Sequence, residues 1–420
     1  MIFSSLDLAP EIQRALDACG YNEMTTIQEK AIIPARRGKD ILANAQTGTG
    51  KTAAFSLPIL QQLHNRPQAL LPGRPRALIL TPTRELAEQL MQTIARYMQF
   101  LPLKIAALYG GGKISAQQKK LNTGIDIVIA TPGRMLEHMQ QNNIDLGGIE
   151  FVVLDEADRM LDMGFIADVK AILKTTPKKR QTLMFSATMS QAVTKLAGQL
   201  LVSHEVVSAA KHNAIADTVE HLVYPVEEHR KAELFIELLD EHNWFKVLVF
   251  TSTKAQADEL MNNLKLVKVK AALCHGDKSQ GSRRRAIADF KADKVQVLVA
   301  TEVAARGLDI QGLEHVVNFN LPYLAEDYVH RIGRTGRAGR KGQAISFVSR
   351  EEERTLNNIE KLIGERIKRI KMPGYAVGSR TTLLNTVKKN KRPAHSNKAS
   401  ATRIGSNAIA AKASKKKKNK

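Results

Sequence analysis

A chain of 420 residues, 43% hydrophobic and 25% charged, is long enough for two or three separately cored domains, and it contains no run of 18 apolar residues that could span a membrane. Two cysteines without partner spacing, Cys19 and Cys274, argue against a disulfide framework or a zinc site and suit a reducing compartment. The net charge is +22, but residues Arg380–Lys420 hold 13 Lys+Arg and no acid, which leaves 22 − 13 = +9 on the first 379 residues.

The first segment, "MIFSSLDLAPEIQRALDACG", has acids at Asp7 and Glu11 and no basic n-region, so a secretory signal is not expected. The apolar "DILAN" follows, then "AQTGTGKT" (Ala45–Thr52), then the helical "AAFSLPILQQL". That is the strand–loop–helix setting of a P-loop. Gly48 and Gly50 let backbone N–H groups close around phosphate oxygens, Lys51 reaches the β- and γ-phosphates, and Thr52 can ligate Mg²⁺. Ala45 stands where the motif usually has its first glycine. Further on, "IEFVV" (Ile149–Val153) reads as a buried strand and runs into "LDEAD", three carboxylates within four residues. Their repulsion calls for a cation. Asp155 is placed to hold Mg²⁺ beside the P-loop, and Glu156 to orient and deprotonate an attacking water.

A faded repeat runs through the chain. "ALILTPTRELAEQL" (Ala77–Leu90) resembles "VLVFTSTKAQADEL" (Val247–Leu260), and "DIVIATPGR" (Asp126–Arg134) resembles "QVLVATEVA" (Gln296–Ala304), both at an offset of 170. "IEFVVL" (Ile149–Leu154) recurs as "LEHVVN" (Leu313–Asn318), and "RQTLMFS" (Arg180–Ser186) as "GQAISFV" (Gly342–Val348). Each unit is a short apolar run, a turn and a helical stretch, the pattern of a parallel sheet buried on both faces. Two domains of one design follow: residues 1–207 and 218–374, with a linker at 208–217 and a close at "MPG" after a helical stretch.

The second copy has no P-loop. It carries instead "HRIGRTGRAGRKG" (His330–Gly342), whose arginines have no acid within residues 331–350. They read as arginine fingers for a nucleotide seated on the first domain, or as a basic loop facing RNA. The last segment, 375–420, is poor in large apolar residues and rich in Lys, Ser, Asn and Ala, the composition of a disordered basic tail. It would solubilise the chain or bind a polyanion such as nucleic acid.

These motifs together resemble the DEAD-box ATP-dependent RNA helicases over residues 1 to about 372, most closely the bacterial RhlE-type branch; Asp155–Asp158 spell the family's tetrapeptide. The resemblance implies an α/β fold of two tandem RecA-like, doubly wound parallel-sheet domains with an interdomain cleft. "GYNEMTTIQ" (Gly20–Gln28) is similar to the Q motif, so Gln28 would bond the adenine edge and Tyr21 would stack on its ring. The nucleotide would also meet Ala45, Gln46, Thr47, Gly48, Thr49, Gly50, Lys51 and Thr52, with Asp309 at the ribose and Arg334 and Arg337 as fingers. Lys51, Asp155, Glu156, Arg334 and Arg337 would be catalytic, and Thr52 and Asp155 would bind the metal. Arg84, Gly111, Thr131 and Arg134 from the first domain, and Thr251, Gly276, Gln280, Arg283 and Thr301 from the second, would bind RNA. Asp158, Ser186 and Thr188 would couple nucleotide to RNA. The expected activity is RNA-dependent ATP hydrolysis that opens short duplexes or remodels RNA–protein complexes; the alternative is an ATP-gated clamp. A cytoplasmic monomer using ATP and Mg²⁺, associated with ribosomal or RNA-degradation assemblies, completes the expectation. Aromatics make up only 5% of residues, which favours reading RNA through its backbone and 2′-OH groups rather than by base stacking.

Overall fold

A computed structural model describes residues 1–45, 48–208, 219–305, 310, 312–336 and 342–375. The first sheet is built from β1 (Ile41–Asn44), β2 (Ala77–Leu80), β3 (Ile105–Leu108), β4 (Ile127–Ala130), β5 (Phe151–Leu154), β6 (Gln181–Ser186) and β7 (Glu205–Ser208). The second contains β8 (Val219–Pro225), β9 (Val247–Thr251), β10 (Ala271–Cys274), β11 (Val297–Thr301), β12 (His315–Asn318), β13 (Gly342–Val348) and β14 (Lys368–Arg369). All pairings within both sheets are parallel.

The order β3-β4-β2-β5-β6-β1-β7 in the first sheet is reproduced strand for strand by β10-β11-β9-β12-β13-β8-β14 in the second. The four repeated segments therefore occupy equivalent strands: β2 and β9, β4 and β11, β5 and β12, β6 and β13. Helices cover both faces of each sheet, so strands such as β5, "FVVL", are apolar throughout and buried on both sides. Phe55, on the helix Lys51–Asn65, meets Phe185 of β6 edge-on at 5.4 Å between ring centroids and fixes that helix against the sheet. Among the described residues no helix is long and apolar enough to cross a membrane.

One local reading is corrected. The helical stretch near the end of the second lobe does not run to "MPG". It spans Glu353–Ile363 and stops at Gly364, whose φ of 82° ends it in the left-handed region. Lys368–Arg369 then pair with β8 as an exposed edge strand.

The duplication extends to one lysine. In the first lobe, β1 is followed by a loop and by a helix that begins at Lys51; in the second, β8 is followed by a loop and by a helix that begins at Lys231. Lys231 is fully buried, and its ammonium sits 2.6 Å from both Glu228 and Glu352. Carboxylates of the chain itself hold this amine, whereas Lys51 Nζ in the first lobe lies 3.8 Å from Asp155.

Candidate nucleotide and RNA site

In an open parallel sheet, ligands gather at the carboxyl ends of the strands. Here β5, β6 and β1 lie side by side, so the loops after them converge. The P-loop follows β1, the acidic run follows β5, and Ser186 ends β6 between them. Ala45 donates its N–H to the Ser186 carbonyl at 2.9 Å, which continues the β1–β6 ladder. Its side chain is buried in the core and its φ is not positive, so this position has no need of glycine. Gly48 and Gly50, at φ 84° and 93°, do need it. A Cβ on Gly50 would also stand 2.4 Å from Gln28 Nε2. Gln46 and Thr47 lie outside the described residues.

Gln28 is buried and committed within the protein. Its Nε2 donates to the Gly50 carbonyl at 3.1 Å, and its Oε1 accepts from Thr25 N–H at 2.8 Å, closing the capping box of the helix Thr26–Arg36. The residue expected at the adenine edge is thus also a brace for the P-loop. Tyr21 stacks on Phe3 at 5.9 Å and shares a 3.0 Å hydrogen bond with the Tyr97 hydroxyl.

Lys51 and Asp155 are both nearly inaccessible, with 3.8 Å between Nζ and Oδ1. Among the described residues no hydrogen-bond acceptor reaches Lys51 Nζ. Burial pushes the Asp155 carboxyl up to about 6; Lys51 opposes that rise, and Glu156 and Asp158 add to it. A buried ammonium without an acceptor fits a phosphate, and a carboxylate crowded by two others fits a divalent cation. The site therefore suits ATP with Mg²⁺, with Thr52 at the start of the same helix. Glu156 sits at φ 55°, ψ 53°, a conformation that non-glycine residues seldom adopt, and it caps the short helix Ala157–Asp162.

Asp158, one turn on, accepts from the Ala187 N–H at 3.1 Å, the Thr188 N–H at 3.0 Å and the Thr188 hydroxyl at 3.2 Å. His330 Nε2 of the second lobe approaches the same Oδ2 to 3.9 Å. Two of the three residues expected to couple nucleotide to RNA, Asp158 and Thr188, are thus in contact, and His330 lies beside them. Arg334 is buried a turn further on, while Arg337 and Asp309 lie outside the described residues. Arg331, grouped by sequence with arginines lacking partners, is instead fully engaged. It bonds Asn318 Oδ1 at 3.1 Å and the Asn320 carbonyl at 2.7 Å, and it pairs with Glu302.

The expected RNA residues divide into two groups. Arg84 lies over Gly110–Gly111, where a Cβ on Gly111 would fall 2.0 Å from its Nη1. Thr131 begins the helix Pro132–Gln140 without using its hydroxyl as a cap, and Gly276 is exposed. Arg134 is buried: it donates to the Gly112 carbonyl at 3.0 Å and pairs with Glu137 at 2.9 Å, so it holds the glycine loop in place. Thr251 and Thr301 are likewise buried at strand ends. Gln280 and Arg283 reach across to the first lobe and meet Glu85 at 3.4 and 2.7 Å. Sequence singled out neither Arg159, Asp327 nor His330, and it placed Glu85 only within the stretch Pro82–Leu86 expected to bind RNA. The pairing of Arg159 with Asp327, 168 residues apart, leaves no local trace.

Two sheets of identical strand order, one P-loop and a carboxylate cluster facing it define a tandem RecA-like P-loop protein. Residues 25–196 match the DEAD/DEAH box helicase family model, and residues 230–339 the helicase conserved C-terminal domain. The chain is similar to the ATP-dependent RNA helicase RhlB of Pseudomonas aeruginosa, with 42% identity over 87% of this chain and 93% of that one. It is also 42% identical to the DEAD-box ATP-dependent RNA helicase CshA of Streptococcus pneumoniae, over 88% of this chain and 70% of that one. Saccharomyces cerevisiae Dbp5 bound to RNA and ADP BeF3 superposes with a TM-score of 0.79 at 32% identity, over 88% of this chain and 95% of that one. The chain belongs to the DEAD-box ATP-dependent RNA helicases.

Proposed function

We propose that the protein is an RNA-dependent ATPase that grips RNA through its backbone, opens short duplexes locally and remodels RNA–protein complexes. The observation that carries this reading is the acidic run 155–158, which places Asp155 3.8 Å from Lys51 and Asp158 3.9 Å from His330. It joins a phosphate-binding loop on one lobe to the arginine-bearing helix on the other. In this reading Lys51 and the P-loop amides bind the β- and γ-phosphates. Thr52 and Asp155 would hold Mg²⁺, which spreads the phosphate charge when bound. Glu156 accepts the proton of the attacking water, and Arg334 and Arg337 offset charge developing at the γ-phosphate, a contribution of about 10³–10⁵ in rate for such fingers. Arg84, Gly111, Thr131, Gly276, Gln280 and Arg283 hold the strand, while Arg134, Thr251 and Thr301 shape the loops beneath it. The functional units are residues 1–207 and 218–374, joined by 208–217 and followed by the basic segment 375–420. The protein works as a cytoplasmic monomer, and its partners belong to ribosomal or RNA-degradation assemblies.

Glu156→Gln tests the assignment. Hydrolysis is expected to fall by orders of magnitude while ATP-dependent RNA binding is kept or tightened; near-normal turnover would remove Glu156 from its role. Strand separation at sub-stoichiometric enzyme separates an unwinding protein, which turns over, from an ATP-gated clamp, which does not.

A further inference from the structure

Among the described residues, four pairings of opposite charge join the lobes around the site, beside the Gln280–Glu85 hydrogen bond. Glu85 meets Arg283, Glu88 meets Arg284, and Asp158 approaches His330. The fourth, Arg159 with Asp327, is the most deeply buried, with side chains 3% and 8% exposed. Arg159 directly follows the acidic tetrapeptide on the helix Ala157–Asp162, and its Nη1 also lies 3.5 Å from Asp162 on the same turn. Asp327 is in the first turn of the helix Ala325–Ile332, which carries His330 and leads to Arg334. The pair thus ties the helix that starts at Glu156 to the helix that delivers the arginines.

We propose that the Arg159–Asp327 ion pair is a closure latch that sets the register of the arginine-bearing helix against the hydrolytic carboxylates, making both positioning residues for the reaction. This deepens the reading of the preceding subsection and rests on it. Its physical basis is asymmetric. With the lobes apart, each charge belongs to a surface helix and is solvated, so losing one partner leaves the separate lobes intact. With the lobes together, both charges are dehydrated, and removing one takes from the other its shortest charge partner, which leaves Arg159 with Asp162 at 3.5 Å. A single substitution therefore penalises closure alone.

The test is a double-mutant cycle in the full chain with Arg159→Ala, Asp327→Asn and the double variant. Closure is read by fluorescence transfer between a dye on Cys19, which is partly exposed, and one on an introduced Leu266→Cys, where the native leucine is 81% exposed. RNA-stimulated ATPase is read alongside. Each single variant is expected to raise the RNA needed for half-maximal ATPase and to weaken RNA-driven closure by roughly 5- to 150-fold, the usual range of coupling between sites. The double variant should be little worse than either single one, Arg159→Lys should recover part of the loss, and ADP affinity of the first lobe should stay unchanged. Unaltered closure in the single variants, effects that multiply in the double variant, or lost ADP binding in Arg159→Ala would each overturn the latch. Wild-type protein that closes on RNA and ATP without hydrolysing would fail the ATPase reading, and the closure signal would still decide the latch.

Discussion

His221 shows how a single buried side chain makes stability depend on pH. Its Nδ1 shares a 2.8 Å hydrogen bond with the hydroxyl of Tyr328, and burial lowers its affinity for a proton despite the nearby Glu365. The unfolded chain takes up that proton near pH 6.5, and the folded one only at lower pH. Stability from this group is therefore complete above about pH 6.5 and is lost as pH falls through that value toward the folded pKa. His138 and His315 are lowered by burial in the same way. Asp155, raised to about 6, acts in the opposite sense, because protonation relieves its burial. The informative quantity is thus a difference between proteins. From pH 7.5 to 5.5, the thermal midpoint of His221→Phe should fall less than that of the wild type, by differential scanning calorimetry. An identical slope would show that His221 does not carry the effect. At this scale, sequence made the contiguous groups legible, Lys51 and Asp155 above all, because a P-loop and an acidic run each lie within eight residues. The inward duties of Gln28 and Arg134 were not legible, since a side chain's partner is set by burial and not by its motif.

Among the elements, the two lobes repeat their caps as well as their strands. Thr83 accepts from Leu86 N–H at 3.3 Å to begin the helix Arg84–Tyr97. At the equivalent place, Thr253 accepts from Gln256 N–H at 3.1 Å, and Gln256 Oε1 accepts from Thr253 N–H at 3.1 Å. Removing such a cap costs about 0.5–2 kcal/mol. Thr253→Ala should therefore lower the urea midpoint of the second lobe, with Thr253→Ser restoring most of it; equal midpoints for Ala and Ser would deny the cap any weight. Sequence displayed four of the seven strand equivalences because those strands are short apolar runs with similar turns. It missed β14, two exposed basic residues that pair with β8, beside which Ile370 N–H reaches the Val223 carbonyl at 2.7 Å and Arg369 pairs with Glu360. A strand without an apolar face leaves no pattern to read.

Across the whole molecule, charge and fold are separately placed. In the sequence, the 13 positive charges of Arg380–Lys420 follow the last strand and every motif. A chain ending before Arg380 should hydrolyse ATP normally at saturating RNA but need more RNA to get there. For single strands, each lost phosphate contact should flatten the slope of log K against log salt by about 0.7. The deficit should shrink as salt rises, and an unchanged RNA requirement at low salt would exclude this segment as a general anchor. The two-sheet plan was legible from the repeat, whereas the joins between the sheets, Glu85 to Arg283 and Arg159 to Asp327, were not. Such pairs reward no local pattern and exist only once the lobes meet.

The buried lysine of the second lobe bears on how far this machine can travel. The duplication that produced two sheets kept Lys231 at the start of the helix after β8 and locked it between Glu228 and Glu352. With its charge already matched from inside, Lys231 offers no unpaired ammonium to a phosphate, so the described residues of the second copy do not repeat the phosphate-binding lysine of the first. One fuel chamber under one lid allows a single stroke per ATP. If each ATP powers one such stroke, a duplex longer than a single stroke should open only through repeated encounters, and the yield of strand separation should fall steeply with duplex length.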